Sequence, residues 1–193
     1  MSSVTISKQV AELRTLFNKV ASVGFVKNVD LLPNAITTID YMLPILQDSV
    51  TFNTGEPSVE TVDLTTGEKW TTMTTAGEPD ITMNCASFND EICELFLNKV
   101  AGSNAQIQGL DSINYAGIGY NLEAKKVVGG LLMRSEDKEM VIYMPHVEIY
   151  SSLAVEESVP GYFNMQITPL ASAGSGEQKL GAGVAIYFLK KSA

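Results

Sequence analysis

Apolar residues recur at spacings of three and four from Val10 through Leu13, Phe17 and Val20 to Gly24, with Lys8, Glu12, Arg14 and Lys19 largely off that stripe. This is one face of an amphipathic helix. Ser7 suits its N-cap and Gly24 its C-terminal stop, so a helix is predicted over 7–24. Its stripe needs a cover, either the subunit's own core or a neighbouring copy. Between Asn28 and Asp48 the pattern breaks, because Pro33 and Pro44 interrupt the apolar residues, and a linker with a short helix or extended arm is expected. Residues 1–48 thus read as an N-terminal helix and arm, and 49–193 as a β-rich domain.

After Asp48 the texture changes. Ten threonines fall between Thr51 and Thr82, and the apolar residues alternate: Val50 and Phe52, Val59, Val62 and Leu64, Trp70 and Met73, Ile81 and Met83. Alternation and β-branching predict strands. Thr65, Thr66, Gly67 and Glu68 form a turn, which makes 59–75 a hairpin, rich in Thr and acids and without a greasy centre. Both of its faces are expected to meet water or a partner. Asn89 is a suitable N-cap, Asp90 and Glu91 complement the helix dipole, and Ile92, Leu95, Phe96, Lys99 and Val100 follow at helical spacing before Gly102. Leu95, Phe96 and Val100 are predicted to bury against a sheet, with Cys93 beside them.

From Asn114 onward strands dominate, predicted at 125–133, 138–143, 147–153, 162–170 and 183–190, with a turn at Ser135, Glu136 and Asp137 and a loop over 171–181. The expected fold is mainly β: an antiparallel sandwich or barrel with one packed α-helix, plus the N-terminal helix and arm.

Charge sharpens the functional reading. Thirteen basic against twenty-two acidic side chains leave −9, and eleven of the acids face a single base, Lys69, between Leu31 and Phe96. A net charge of −9 disfavours a broad cationic surface for gripping nucleic acid phosphates. The acidic third serves solubility or repels polyanions. No apolar run approaches the ~20 residues of a membrane span, and the first ten residues lack a signal-peptide pattern, so a soluble, unsecreted chain without membrane insertion is expected. Cys85 and Cys93 are too few for a disulfide framework or a self-contained zinc site.

Candidate chemistry is sparse. His146 is the only histidine, with no identifiable triad partners, and reads as a surface or interface residue. The pairs Glu156 with Glu157 and Asp90 with Glu91 are adjacent rather than convergent. Gly117-Ile118-Gly119 and Gly181-Ala182-Gly183 lack the third glycine or lysine of a phosphate loop and open no helix. No catalytic, cofactor-binding or metal site is assigned, and no cofactor is expected.

The order of elements, with Gly77-Glu78-Pro79-Asp80-Ile81-Thr82-Met83 running into the helix at 89–100, then Val127-Val128-Gly129-Gly130-Leu131, Glu139-Met140-Val141-Ile142-Tyr143 and Tyr162-Phe163-Asn164-Met165-Gln166-Ile167-Thr168-Pro169-Leu170, resembles bacteriophage tail tube proteins over Ser49 to Lys191. The resemblance is one of layout and texture. It implies a structural virion protein, assembled in the host cytoplasm, whose subunits form hexameric rings stacked into the tube through which DNA is ejected. The implied partners are other copies of the chain, other tail proteins, and DNA in transient, non-specific passage. On this reading Val59, Thr65, Thr66, Gly67, Glu68 and Trp70 of the hairpin, and Val10, Leu13 and Phe17 of the arm, contact neighbouring copies. Glu60, Asp63 and Glu68 are the expected lumen or ring-interface acids. The alternatives are the inner tube of a bacterial secretion or contractile injection system, and a β-sandwich carbohydrate-binding module or small enzyme built on Trp70 and nearby carboxylates.

Overall fold

The structure, a computed structural model, describes residues 16–174 and 181–192. In chain order the strands are β1 (Val20–Val26), β2 (Tyr41–Leu43), β3 (Thr51–Asn53), β4 (Ser58–Asp63), β5 (Lys69–Thr75), β6 (Asp80–Cys85), β7 (Asn98–Lys99), β8 (Ala105–Leu110), β9 (Ile113–Gly117), β10 (Tyr120–Asn121), β11 (Lys126–Ser135), β12 (Met140–Glu156), β13 (Val159–Pro169) and β14 (Tyr187–Lys190). Among the described residues one α-helix, α1 (Asp90–Phe96), lies between β6 and β7. The fold is mainly β, antiparallel and sandwich-like, with a packed helix, as the alternation of apolar residues predicts.

The main sheet has the order β2-β1-β11-β12-β13-β6-β3, with β14 also pairing β12. It closes on itself. Past β2 the chain reaches β6: Ile45 bridges Cys85, Leu46 N donates to Asn84 O at 2.8 Å, and Ala86 N donates to Pro44 O at 2.8 Å. The circuit β1-β11-β12-β13-β6-β2 satisfies backbone groups that an open sheet would leave at its edges. Inside lie Val23, Phe25, Leu131, Met133, Met144, Ile149, Phe163 and Met165, all nearly inaccessible. α1 adds Ile92, Cys93 and Phe96 to this core, with the Phe96 ring 5.3 Å from that of Phe163.

Two sequence expectations are corrected. The helix over 7–24 gives way to a strand from Val20 on, with Val23↔Met133 and Phe25↔Leu131 in register with β11; residues 7–15 lie outside the described residues. Valines and an aromatic that pair on both sides gain more as a strand than a short stripe gains as a helix. Gly24 is no helix stop: a Cβ there would come within 2.9 Å of Ile39, which covers the strand. β1 and β2 pair within the main sheet, so residue 48 marks no structural boundary.

The two strands predicted at 138–143 and 147–153 are one strand, β12. Pro145 is tolerated because ladder partners change there. β14 pairs through Tyr143, β13 begins at Val147, and the register with β11 slips by one residue opposite Gly130. A missing N–H at that bulge breaks no bond.

α1 starts as its cap predicts, with Glu91 N donating to the Asn89 side chain at 2.9 Å. It ends sooner than expected, at Phe96, where the Lys125 ammonium donates to the carbonyls of Glu94 and Leu97 and complements the negative end of the helix. Val100 is therefore exposed, not buried. Asn89→Ala is expected to cost about 1 kcal/mol, read as a lowered urea midpoint with unchanged slope. An unchanged midpoint would mean that packing alone holds the helix.

Candidate assembly surfaces

The hairpin predicted at 59–75 is present as β4 and β5, in register from Ser58↔Thr75 to Val62↔Thr71, with a bulge that leaves Trp70 unpaired before Asp63↔Lys69. Its turn is tied by Leu64 N donating to Glu68 O and Gly67 N to Leu64 O, both 2.8 Å, and Gly67 takes φ 83°. Every residue of both strands is exposed, Trp70 at 69%. Val59, Thr65, Thr66, Gly67, Glu68 and Trp70 are thus brought together on one arm. Val10 and Leu13 lie outside the described residues, and Phe17 is half-buried against the core. The acids are not gathered on one surface: Glu60 and Asp63, three residues apart on a strand, point to opposite faces, and Glu68 belongs to the turn.

The arm leaves the barrel through a neck. Gly55, at φ 83°, and Gly77 meet backbone to backbone; a Cβ on Gly77 would lie 2.6 Å from the Glu56 nitrogen, and one on Gly55 would lie 2.8 Å from the Glu78 carbonyl carbon. Only glycine allows this crossing.

A second arm was not anticipated from the sequence. β8 and β9 pair as Ala105↔Gly117, Ile107↔Tyr115 and Leu110↔Ile113. The two-residue turn, Asp111 and Ser112, has positive φ at both positions (49° and 65°), a type I′ geometry usually carried by Asn-Gly or Asp-Gly. A bulge at Gln108 and Gly109 breaks the alternation, so neither the period nor the turn dipeptide announces the hairpin. With the bulge counted, Ile107, Leu110, Ile113 and Tyr115 share one face and are 48–59% exposed, while Gln106 and Asn114 lie on the other. This arm too has a neck, where Gly119 N donates to Ser103 Oγ at 3.0 Å and a Cβ on Gly119 would come within 2.8 Å of Ser103 Cβ.

His146 Nδ1 sits 3.4 Å from Asp30 Oδ1 without a hydrogen bond between them, and Asp30 N donates to Pro145 O at 2.8 Å, a backbone bond that ties the segment after β1 to the bulge of β12. Burial pushes the Cys85 thiol up to about 11, and Cys93 is raised for the same reason, which favours the protonated thiol at both. Among the described residues two carboxylates shift, both downward: Asp137 through the Ser135 hydroxyl and Glu148 through the Lys126 ammonium. Trp70 stands on the arm and lines neither the concavity at Val20–Phe52 nor the one around Lys27, Asp40 and Glu94. No group of three or more metal-ligating side chains occurs among those residues, and no helix there is long and apolar enough to cross a membrane.

No protein-family model matches the chain, and no curated protein matches its sequence.

Proposed function

We propose that this chain is a self-assembling structural subunit, the building block of a phage tail tube, in which copies form rings and the β4–β5 arm reaches the next ring. The observation that carries this reading is surface in excess of what a monomer needs. A compact monomer of the described residues would expose roughly 8,200 Å², and the remaining residues, counted at the surface of a fully extended chain, add about 3,400 Å². The chain exposes 13312 Å², about 1,700 Å² more than that sum. An excess of this size is what a standard protein interface removes from water. Two arms, β4–β5 and β8–β9, are exposed along every residue of their strands and add nothing to the core.

The acidic excess supports a conduit for a polyanion. A duplex gripped by Lys and Arg exchanges its counterions and stalls, whereas six copies of a −9 chain repel it on balance. Light scattering of the purified protein over a concentration series, with negative-stain images of the same samples, tests the reading. Rings or tubes of six-fold repeat are expected. A monodisperse monomer at every concentration overturns it.

A further inference from the structure

The bulge of β12 carries a buried pair of polar groups that assembly leaves unused. Asp30 lies after β1 at φ 59°, in the left-handed region, with its N–H bonded to Pro145 O at 2.8 Å. Its side chain is only 7% exposed. His146 follows Pro145 on β12, and its own carbonyl accepts from Leu170 N at 2.9 Å. Both backbones are thus held, and they bring Asp30 Oδ1 to 3.4 Å from His146 Nδ1.

Neither atom is satisfied. Both are shut off from water, and neither has a hydrogen-bond partner among the described residues. A charge-assisted N–H···O bond closes to about 2.8 Å, so 3.4 Å is too long for one. The neighbours are committed elsewhere. The Tyr143 hydroxyl donates to Leu31 O at 3.1 Å, and burial, then the Asp30 charge, push that phenol up to about 12. The Glu148 carboxylate is taken by Lys126 at 2.8 Å, and no lysine or arginine among the described residues pairs with Asp30. Leaving a carboxylate oxygen and an imidazole nitrogen buried and unpaired is costly, and one ion between them relieves both.

The separation says which ion. Two ligand atoms, each about 2.0–2.1 Å from zinc at the tetrahedral angle, stand roughly 3.3–3.4 Å apart. A spacing too wide for the hydrogen bond is therefore the edge of such a tetrahedron. Imidazole nitrogen beside carboxylate oxygen suits zinc and its neighbours in the first transition row, whereas calcium and magnesium take oxygen sets. We infer that Asp30 Oδ1 and His146 Nδ1 bind a divalent transition-metal ion of the zinc class, which bridges the segment after β1 to the bulge of β12. Two side chains leave the other coordination positions to water, so the site is open and its metal exchangeable.

The test uses the full chain without a histidine tag, stripped of metal by a chelator. Zn²⁺ is expected to raise the melting temperature by roughly 5 °C at saturation, and EDTA to reverse the rise. Co²⁺ in its place is expected to give the visible bands of a one-to-one nitrogen and oxygen site. His146 is the only histidine of the chain, so His146→Gln is expected to abolish both signals. Asp30→Asn, which keeps the shape of the side chain, is expected to weaken binding at least tenfold, about the loss second-shell changes alone can cause. Circular dichroism checks that each variant folds; His146, at the more exposed end of the pair, carries the test if Asp30→Asn does not. No melting shift and no Co²⁺ bands at millimolar metal overturn the inference and leave the pair a plain ionic contact. Bands that survive in His146→Gln overturn it equally, and an intense near-ultraviolet thiolate band would place the metal on Cys85 and Cys93 instead. Neither readout depends on oligomeric state, so a chain that fails to assemble removes the tail tube reading and leaves this one standing.

Discussion

Deleting Thr65–Glu68 is expected to reduce tubes to single rings while leaving the subunit folded. No buried core residue lies between Phe52 and Ile81, so the shortened arm removes no packing from the barrel. The melting temperature is expected to move by no more than a few degrees, as for a surface change of less than about 1 kcal/mol. A Gly77→Val variant approaches the same arm from its base. Its side chain would collide with the backbone of Glu56 and turn the arm away from its direction, so stacking is expected to fail with every contact residue still present. Electron microscopy distinguishes tubes from rings directly. Tubes of normal length from both variants would mean that β4–β5 is not the axial contact.

The second large effect is on the fold. Gly129 lies in β11 where a Cβ would stand 2.5 Å from the Val26 carbonyl oxygen and 2.5 Å from a ring carbon of Phe25. Phe25 is 1% exposed and has no room to withdraw. Gly129→Val is expected to destabilise the chain by about 3 kcal/mol, the upper range for an overfilled core, lowering the melting temperature by roughly 10 °C. Gly117→Val is the control, since a Cβ there meets nothing within 4 Å. Equal melting temperatures for the two variants would mean that β1 and β11 separate easily at this point and that the barrel is looser than described.

Part of the fold is legible in the sequence because its rules are local. Val59 to Thr75 alternates around a Gly67 turn, and Asn89 with Asp90 and Glu91 marks a helix start, so each was readable from neighbouring residues alone. What failed depended on partners distant in the chain. Val20 to Gly24 fits either a helical stripe or a strand, and only β11, over a hundred residues later, decides between them. Pro145 reads as a strand end until the handover from β14 to β13 is known. The β8–β9 arm hid behind a bulge and an Asp-Ser turn. The acids Glu60 and Asp63 were visible as residues, but their faces depend on register, which composition does not carry.

The glycine crossing at Gly55 and Gly77 has a consequence for precision over length. With the two backbones in contact, the angle at which the arm departs is settled within the subunit rather than negotiated with its neighbour. In a filament of repeated copies every step inherits that angle, so an error of a few degrees accumulates from ring to ring into a change of pitch. A pair of residues without side chains would thus act as the gauge of helical twist for the whole filament.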